Sequence, residues 1–381
     1  MIEFYPEDEL ICLGADEGVD GPVLPPIDQA SLFRKRTIEE LLAELSAEHA
    51  NAVYSRGTNP GVRILEDRLA RLERGEACKS FSSGMGAVSA VLFGLLKRGD
   101  HILFVNDIYG PTIEFAERLE DYGVSHSRVF SADIAAIEQA MRDETKIVYF
   151  ESPGSMLFRL APIAAIAALT KSRGAISVID NTVATPLLQK PIAMGVDLVI
   201  HSCSKYIGGH SDVVGGAVIG SEELIERIFY KAYMLLGAAT APMNAFLLLR
   251  GLMTLPARLA RHHADAMALA QFLKTHKRVK RVHHPAFNED DATLFAQQMR
   301  AHSGLFSIEI DAPSFGDVLE RVNRLKLFGK AVSWGGVESL VITGRKKPAT
   351  EKTRIPDSLI RLSVGLEGAG ALTRDLEQAL A

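Results

Sequence analysis

Two side chains that can do chemistry stand at the ends of apolar runs in the sequence. Asp180 follows the run from 176 to 179, and Lys205 comes shortly after the run from 198 to 200. Polar residues at the carboxyl ends of buried strands face the crevice where open α/β sheets bind ligands. An amine and a carboxylate in one crevice can act as nucleophile or base and as charge partner. Either residue alone is better explained by a capped turn or a solvated side chain.

A third feature of the sequence predicts an anion site. The stretch FSSGMGAVSAVLFGLL places the small residues 82 to 86 immediately before an apolar helix. This arrangement presents free backbone N–H groups and the positive end of the helix dipole to a phosphate. The signal is weak by itself, because Gly-x-Gly before a helix also serves close packing. Neither the dinucleotide fingerprint nor a Gly-Lys-Ser/Thr loop is present.

Together these three features match what pyridoxal 5′-phosphate (PLP) requires of a protein. Its phosphate needs an anion cradle, its ring nitrogen needs a carboxylate that keeps it protonated, and its aldehyde needs a lysine that forms a Schiff base. The protonated ring then acts as an electron sink. We therefore predict PLP as the cofactor, with Lys205 and Asp180 at its two poles.

Composition argues against several other classes of protein. Lys and Arg number 42 against 47 Asp and Glu, so the charge gives no drive toward nucleic acid or a membrane surface. The three cysteines are few, widely spaced and odd in number, which speaks against disulfides and zinc and favours a cytoplasmic location. The adjacent histidine pairs 262–263 and 283–284 lack metal-ligand spacing, so no metal site is expected.

The order of apolar runs predicts an α/β fold. Short β-rich runs alternate with helical patterns, which is typical of a mostly parallel sheet covered on both faces. We expect this domain to span residues 46–235. Residues 236–381 read as a smaller α+β domain that begins with a long helix interrupted near Pro256. Residues 1–45 lack a core of their own and are predicted to pack on a neighbouring subunit.

Eight motifs occur in order along nearly the whole chain: YSRGTNP (54–60), SSGMGAV (82–88), YGPT (109–112), ESPGS (151–155), VIDNT (178–182), SCSKYIGGHSD (202–212), SWGGVESL (333–340) and RLSVGLE (361–367). Together they resemble the cystathionine lyase and synthase family of PLP-dependent enzymes. The resemblance implies a fold-type I, PLP-dependent transferase-like architecture and a homo-oligomer, usually a tetramer built from dimers.

The resemblance also assigns roles to individual positions. It implies that Lys205 is the Schiff-base lysine and that Asp180 is the partner of the ring nitrogen. Tyr109 would stack on the ring and assist proton transfer. The implied phosphate ligands are the backbone of Gly84 and Met85, the hydroxyls of Ser202 and Ser204, and a pair that reaches into the neighbouring subunit, Tyr54 and Arg56.

Arg361 is the predicted clamp for the α-carboxylate of an amino-acid substrate. In LIRLSVG the period-2 pattern places Arg361 and Ser363 opposite Ile360 and Leu362, so the guanidinium can point away from the core. The resemblance implies a bidentate contact of Arg361 with a carboxylate, with Ser333 as an accessory contact.

The expected reaction is carbon–sulfur cleavage by β-elimination, giving a thiol, pyruvate and ammonia. ESPGS in place of an Asn-containing loop, and the tryptophan of SWGGVESL, resemble cystathionine β-lyases. Val332 departs from that pattern and suits γ-lyases. A γ-lyase of cystathionine or methionine type, or a γ-replacing synthase, is therefore the alternative, and a non-catalytic PLP-binding regulator is the reading from another class.

Overall fold

The computed structural model describes residues 2–15, 23–344 and 355–381. Over these ranges, helices and strands alternate through the first 220 residues, and a second group of strands follows the long helices. No helix among them combines the length and the apolar character that crossing a membrane requires.

The strands form two sheets. Within the described residues, one sheet has the order β1-β7-β6-β5-β4-β2-β3 and the other the order β10-β11-β12-β9-β8. The strands are β1 Ala77–Phe81, β2 His101–Val105, β3 Ser125–Val129, β4 Thr145–Glu151, β5 Ile176–Asp180, β6 Leu198–His201, β7 Gly216–Gly220, β8 Val279–His283, β9 Leu305–Ile310, β10 Gly329–Lys330, β11 Leu340–Thr343 and β12 Leu359–Ser363.

The helices lie between and around these strands. They are α1 Pro6–Leu13, α2 Ile38–Leu45, α3 Pro60–Glu73, α4 Gly84–Leu95, α5 Gly110–Leu119, α6 Ile134–Ala140, α7 Ile163–Ser172, α8 Thr185–Leu188, α9 Glu222–Ile228, α10 Met234–Leu236, α11 Pro242–Met253, α12 Leu255–Lys274, α13 Ala292–Gln298, α14 Phe315–Arg324 and α15 Ala369–Leu380. A π-helical segment, Phe229–Tyr233, joins α9 to α10.

The larger sheet confirms the predicted α/β architecture. Strands β3, β2, β4, β5 and β6 run parallel, whereas β7 is antiparallel to both β6 and β1. Two separate apolar clusters pack on its two faces, which is why β2, β4 and β6 read as continuous apolar runs. The edge strands β1 and β3 were not anticipated, and β3 is only half-buried and polar.

The second sheet packs its own apolar cluster against α12, α14 and α15. Its strands β9, β11 and β12 correspond to the three predicted from sequence. The predicted interruption of the long helix is confirmed, because α11 ends at Met253 and α12 begins at Leu255, with Pro256 in its first turn. The domain boundaries at 45 and 235 stay a prediction.

The first two helices differ in how much they contact the rest of the chain. Helix α1 packs on α3 and α11 of the same chain, and its Asp8 pairs with Arg74 at 3.0 Å and with Lys190 at 2.7 Å. Helix α2 has no buried residue, and its apolar side chains Ile38 and Leu42 are exposed. Packing of residues 1–45 on a neighbouring subunit stays a prediction, and the exposed face of α2 is consistent with it.

Helix α11 packs directly on the backbone that follows Lys205. A Cβ placed on Gly251 would lie 2.3 Å from the carbonyl oxygen of Ile207 and 2.5 Å from that of Gly208. Because these are backbone atoms, a side chain at position 251 forces the helix away from the lysine loop.

We therefore expect Gly251→Ala to destabilise the protein by about 1–3 kcal/mol and to lower its Tm in thermal unfolding. Gly316→Ala in α14 is the matched control, since a Cβ there meets only Ser314 Oγ at 3.5 Å. The control should keep or slightly raise Tm, because alanine favours the helix. A Gly251→Ala protein as stable as the control would contradict this packing argument.

Candidate active site

A cavity of about 190 Å³ lies at the carboxyl ends of β4, β5 and β6 and collects most of the predicted site residues. Strand β4 contributes Glu151, β5 contributes Asp180, and the segment after β6 contributes Lys205. The lining residues are Ser83, Gly84, Met85, Val88, Tyr109, Glu151, Ser155, Asp180, Thr182, Val183, Ser202, Ser204, Lys205, Val214 and Trp334.

The helix that begins at Gly84 forms one wall of the cavity. Ser83 caps this helix, and its hydroxyl accepts a hydrogen bond from the N–H of Gly86 at 2.9 Å. The first N–H groups of a helix have no partner within it, so those of Gly84 and Met85 remain available to an anion. A Cβ on Gly84 would lie 3.0 Å from Cβ of Ser202, which keeps the space beside this helix end narrow.

The two predicted serines around the lysine differ in their surroundings. Ser202 lies beside Gly84 at the helix end, and its backbone N–H donates to Thr182 Oγ1 at 2.8 Å. The hydroxyl of Ser204 lies 3.2 Å from the carbonyl oxygen of Gly215 and accepts from the N–H of Gly215 at 3.0 Å. Ser202 is thus placed for a phosphate, whereas the Ser204 hydroxyl is engaged by backbone.

The amine of Lys205 is held by two residues of the segment before β11. Its Nζ donates to Ser333 Oγ at 2.7 Å and lies 4.6 Å from the ring centre of Trp334. Ser333 has a φ of 100°, which is strained for a residue with a side chain and is typical of functional sites. Burial and the charge of Arg361 lower the pKa of Lys205 from 10.5 to about 8, so the neutral amine is accessible near neutral pH.

Arg361 is a residue of β12, and its guanidinium lies near the ring of Trp334. Its guanidinium carbon is 4.8 Å from the ring centre, and Nη1 donates to the carbonyl oxygen of Ser155 at 3.2 Å. Ile360 and Leu362 pack in the core of the smaller sheet, so the predicted alternation along β12 is confirmed. Burial lowers the pKa of Arg361 to about 10, which leaves it cationic at neutral pH.

Asp180 is fixed by the residue two positions later. Its Oδ1 accepts from the N–H of Thr182 at 2.9 Å, and the Thr182 side chain also hydrogen-bonds the carboxylate. Burial raises the pKa of Asp180, but these hydrogen bonds and the charges of His201 and Lys205 oppose the rise by stabilising the anion. The surroundings of Asp180 therefore favour its anion more than burial alone would.

Tyr109 caps α5 at the rim of the cavity, and its side chain remains partly exposed. Burial and the nearby carboxylates Asp180 and Glu151 raise the pKa of its phenol, so it is neutral at physiological pH. Tyr54 and Arg56 do not line this cavity. The Arg56 guanidinium lies 5.5 Å from the Tyr54 ring centre, and the tyrosine is 44% exposed, as a residue reaching toward another subunit would be.

Several residues of the site were missed by the sequence reasoning. Glu151 stands at the end of an apolar run just as Asp180 does, so the same signal could have identified it. Thr182 and Ser155 belong to the recognised motifs but received no role of their own. The contacts of Trp334 with Lys205 and Arg361 join distant parts of the chain and leave no local signal.

The arrangement fits PLP. A helix amino terminus with a close-packed glycine, a carboxylate stabilised by Thr182 and a lysine amine of lowered pKa all face one cavity. These three groups suit the phosphate, ring nitrogen and aldehyde of the cofactor in turn.

Comparison with known proteins identifies the group to which these features point. A family model described as "Cys/Met metabolism PLP-dependent enzyme" matches residues 10–381. The chain is 39% identical over 370 residues to an L-methionine gamma-lyase of Pseudomonas putida, covering 94% of this chain and 93% of that protein. It is 38% identical over 370 residues to a cystathionine beta-lyase of Lactococcus lactis subsp. cremoris, covering 94% of each.

A solved structure shares the whole architecture. The crystal structure of a protein described as an O-acetylhomoserine (thiol)-lyase of Campylobacter jejuni superimposes on this chain with a TM-score of 0.91 at 30% identity. The match covers 98% of this chain and 99% of that chain. That structure carries N′-pyridoxyl-lysine-5′-monophosphate at its position 205.

The lowered pKa of Lys205 yields a pH prediction for the cofactor-free protein. Only the neutral amine attacks an aldehyde, so the rate of covalent PLP capture should rise with pH to a midpoint near 8. Arg361→Gln removes a positive charge and should move that midpoint upward toward the ordinary lysine value of 10.5. Stopped-flow absorbance measures the rate.

Arg261→Gln is the control, because it removes an exposed charge in α12 and should leave the midpoint unchanged. An unchanged midpoint in Arg361→Gln would contradict the charge argument.

Proposed function

Because the chain belongs to the Cys/Met metabolism family of PLP-dependent enzymes, we propose that it cleaves the carbon–sulfur bond of cystathionine-type amino acids by β-elimination. The elimination yields a thiol and aminoacrylate, and water hydrolyses the released aminoacrylate to pyruvate and ammonia. The observation that carries the proposal is that the amine of Lys205 and the guanidinium of Arg361 both lie within 5 Å of the Trp334 ring centre, at 4.6 and 4.8 Å.

PLP is the cofactor of this family, and when bound it stabilises negative charge at the substrate Cα. In our proposal Lys205 holds its aldehyde and Asp180 holds its ring nitrogen. Gly84, Met85 and Ser202 hold the phosphate through two N–H groups and one hydroxyl. Ser204 contributes to the phosphate site by fixing the loop through Gly215, as its hydroxyl contacts suggest.

Arg361 binds the α-carboxylate of the substrate in this proposal. Its guanidinium is buried and fixed by the carbonyl oxygen of Ser155, so little entropy is lost when a carboxylate binds. The planar fork favours a bidentate contact, which orients the Cα–H bond toward the reacting amine. Ser333 lies next to this amine and serves as its tether.

Lys205 is the proposed base that takes the proton from Cα. A neutral amine is available because burial and Arg361 lower the pKa of Lys205 to about 8. The electron pair of the broken Cα–H bond forms the Cα–Cβ double bond, and the sulfur leaves with the pair of the Cβ–S bond. The Tyr109 phenol is neutral and lies at the same cavity, where it can donate a proton to the departing sulfur.

The surroundings of the amine favour β- over γ-chemistry. β-Elimination requires one C–H bond to break, at Cα, whereas γ-elimination also requires proton transfer at Cβ. The hydroxyl of Ser333 and the ring of Trp334 restrict the positions that Nζ can reach. An amine confined in this way suits a reaction at a single carbon.

The γ-reaction remains the second candidate. Val332, which departs from the β-lyase pattern, is 68% exposed beside the strained Ser333. The L-methionine gamma-lyase of Pseudomonas putida is also as similar to this chain as the β-lyase relatives are. A non-catalytic role for the bound cofactor has less support, because such a protein has no use for a buried arginine clamp.

We also propose that the active site is completed by a second copy of the chain. Tyr54 and Arg56 lie outside the cavity of their own chain and are available to the phosphate site of a partner. This requires at least a dimer, and a dimer of dimers is the assembly that we expect.

Product analysis tests the proposed reaction. With cystathionine as substrate, the purified holoenzyme should release pyruvate in excess of 2-oxobutyrate, as measured by chromatography of the derivatised keto acids. Lys205→Ala should release neither acid and lose the visible absorbance of the bound cofactor. Release of 2-oxobutyrate alone would establish the γ-reaction instead, and an absorbance unaffected by any sulfur amino acid would favour the non-catalytic role.

Co-expression tests the shared site. Lys205→Ala and Arg56→Ala chains should each be nearly inactive alone, because one lacks the base and the other a phosphate ligand. In a random mixture half of the dimers are mixed, and each has one intact site, so about a quarter of the wild-type activity should return. Sites contained within single chains would give no such recovery.

A further inference from the structure

Glu151 is a buried carboxyl group that the reaction described above does not use. It is 4% exposed, ends β4, and lines the same cavity as Asp180 and Lys205. Its register partner on the adjacent parallel strand is Asp180. Side chains paired in register on neighbouring strands lie on the same face of the sheet, so two carboxyl groups share one end of the cavity.

Two loops depend on Glu151 for their backbone hydrogen bonds. Its Oε1 accepts from the N–H of Tyr109 at 2.6 Å, and its carboxyl group also accepts from the N–H of Ser155. The carbonyl of the same Ser155 receives the hydrogen bond from Arg361. Glu151 thereby connects the tyrosine at the cavity rim with the peptide that holds the arginine clamp.

The charges around the two carboxyl groups decide which one keeps a proton. The charges that act most strongly on Glu151 are Asp180 on β5 and Asp107 before α5, both anionic. Hydrogen bonds from Thr182 act on Asp180 instead, and electrostatic interactions with His201 and Lys205 also favour its anion. Burial and the two anions raise the pKa of Glu151 well above its usual range. The backbone hydrogen bonds from Tyr109 and Ser155 oppose this rise but do not cancel it.

We propose that Glu151 is a positioning residue that acts as a neutral acid, joining the Tyr109 loop to the Ser155 peptide while Asp180 remains the anion of the pair. The inference rests on the cofactor site of the proposed function. It does not depend on whether the Cβ–S or the Cγ–S bond of the substrate is cleaved, so the identity of the released keto acid does not test it.

The test compares Glu151→Gln with Glu151→Ala in the holoenzyme. The visible absorbance of the bound cofactor is titrated against pH, and kcat and KM are measured with the best substrate. Glu151→Gln keeps a neutral acceptor for the Tyr109 N–H, so the spectral midpoint should stay that of the wild type. If Glu151 were ionised, its replacement would remove an anion and lower the midpoint by about 1–3 units, which would overturn the proposal.

Glu151→Ala removes both hydrogen bonds and should lower kcat/KM by about tenfold, with a rise in KM because the Ser155 peptide no longer holds Arg361 firmly. Glu151→Gln should recover much of this loss. Equal losses in the two variants, with thermal unfolding showing both folded, would contradict the positioning role. Asp311→Asn is the matched control, since it removes an exposed carboxylate that pairs with Lys280 at 2.8 Å outside the cavity, and it should keep the wild-type kcat/KM and spectral midpoint.

Discussion

The site depends on the common edge at which the parallel strands β4, β5 and β6 end. Glu151 pairs with Asp180, and Asp180 pairs with Ile200, so three strands separated by crossover helices bring their carboxyl ends side by side. A shift of one residue in this register would turn the carboxyl groups toward the opposite face. The apolar clusters on both faces of the sheet oppose such a shift, and the chemistry of the cavity therefore rests on the packing beneath it.

The ionisable side chains of this cavity differ in how readily they lose a proton. Lys205 loses its proton more readily than a solvated lysine because it is buried and faces Arg361. Burial favours the protonated form of Glu151, whereas hydrogen bonds from Thr182 favour the anion of Asp180. The neighbours of each group thus set its protonation state, as is typical of active sites.

Sequence reasoning could predict those parts of the molecule that produce local patterns. The central strands are continuous apolar runs, Asp180 and Gly84 stand at element ends, and Lys205 follows β6 closely, so the α/β fold and the centre of the candidate site could be predicted. The edge strands β3 and β8 are polar and half-exposed, and they give no such pattern. The hydrogen bond between Lys205 and Ser333 joins residues far apart in the chain, and only the tertiary fold brings them together.

The chain contains one tryptophan, and it lies within 4.8 Å of the guanidinium carbon of Arg361 and 4.6 Å of the Lys205 amine. Indole emission from the native protein therefore originates at the candidate active site alone. Under the proposed function, this emission reports whether the cavity holds cofactor or substrate.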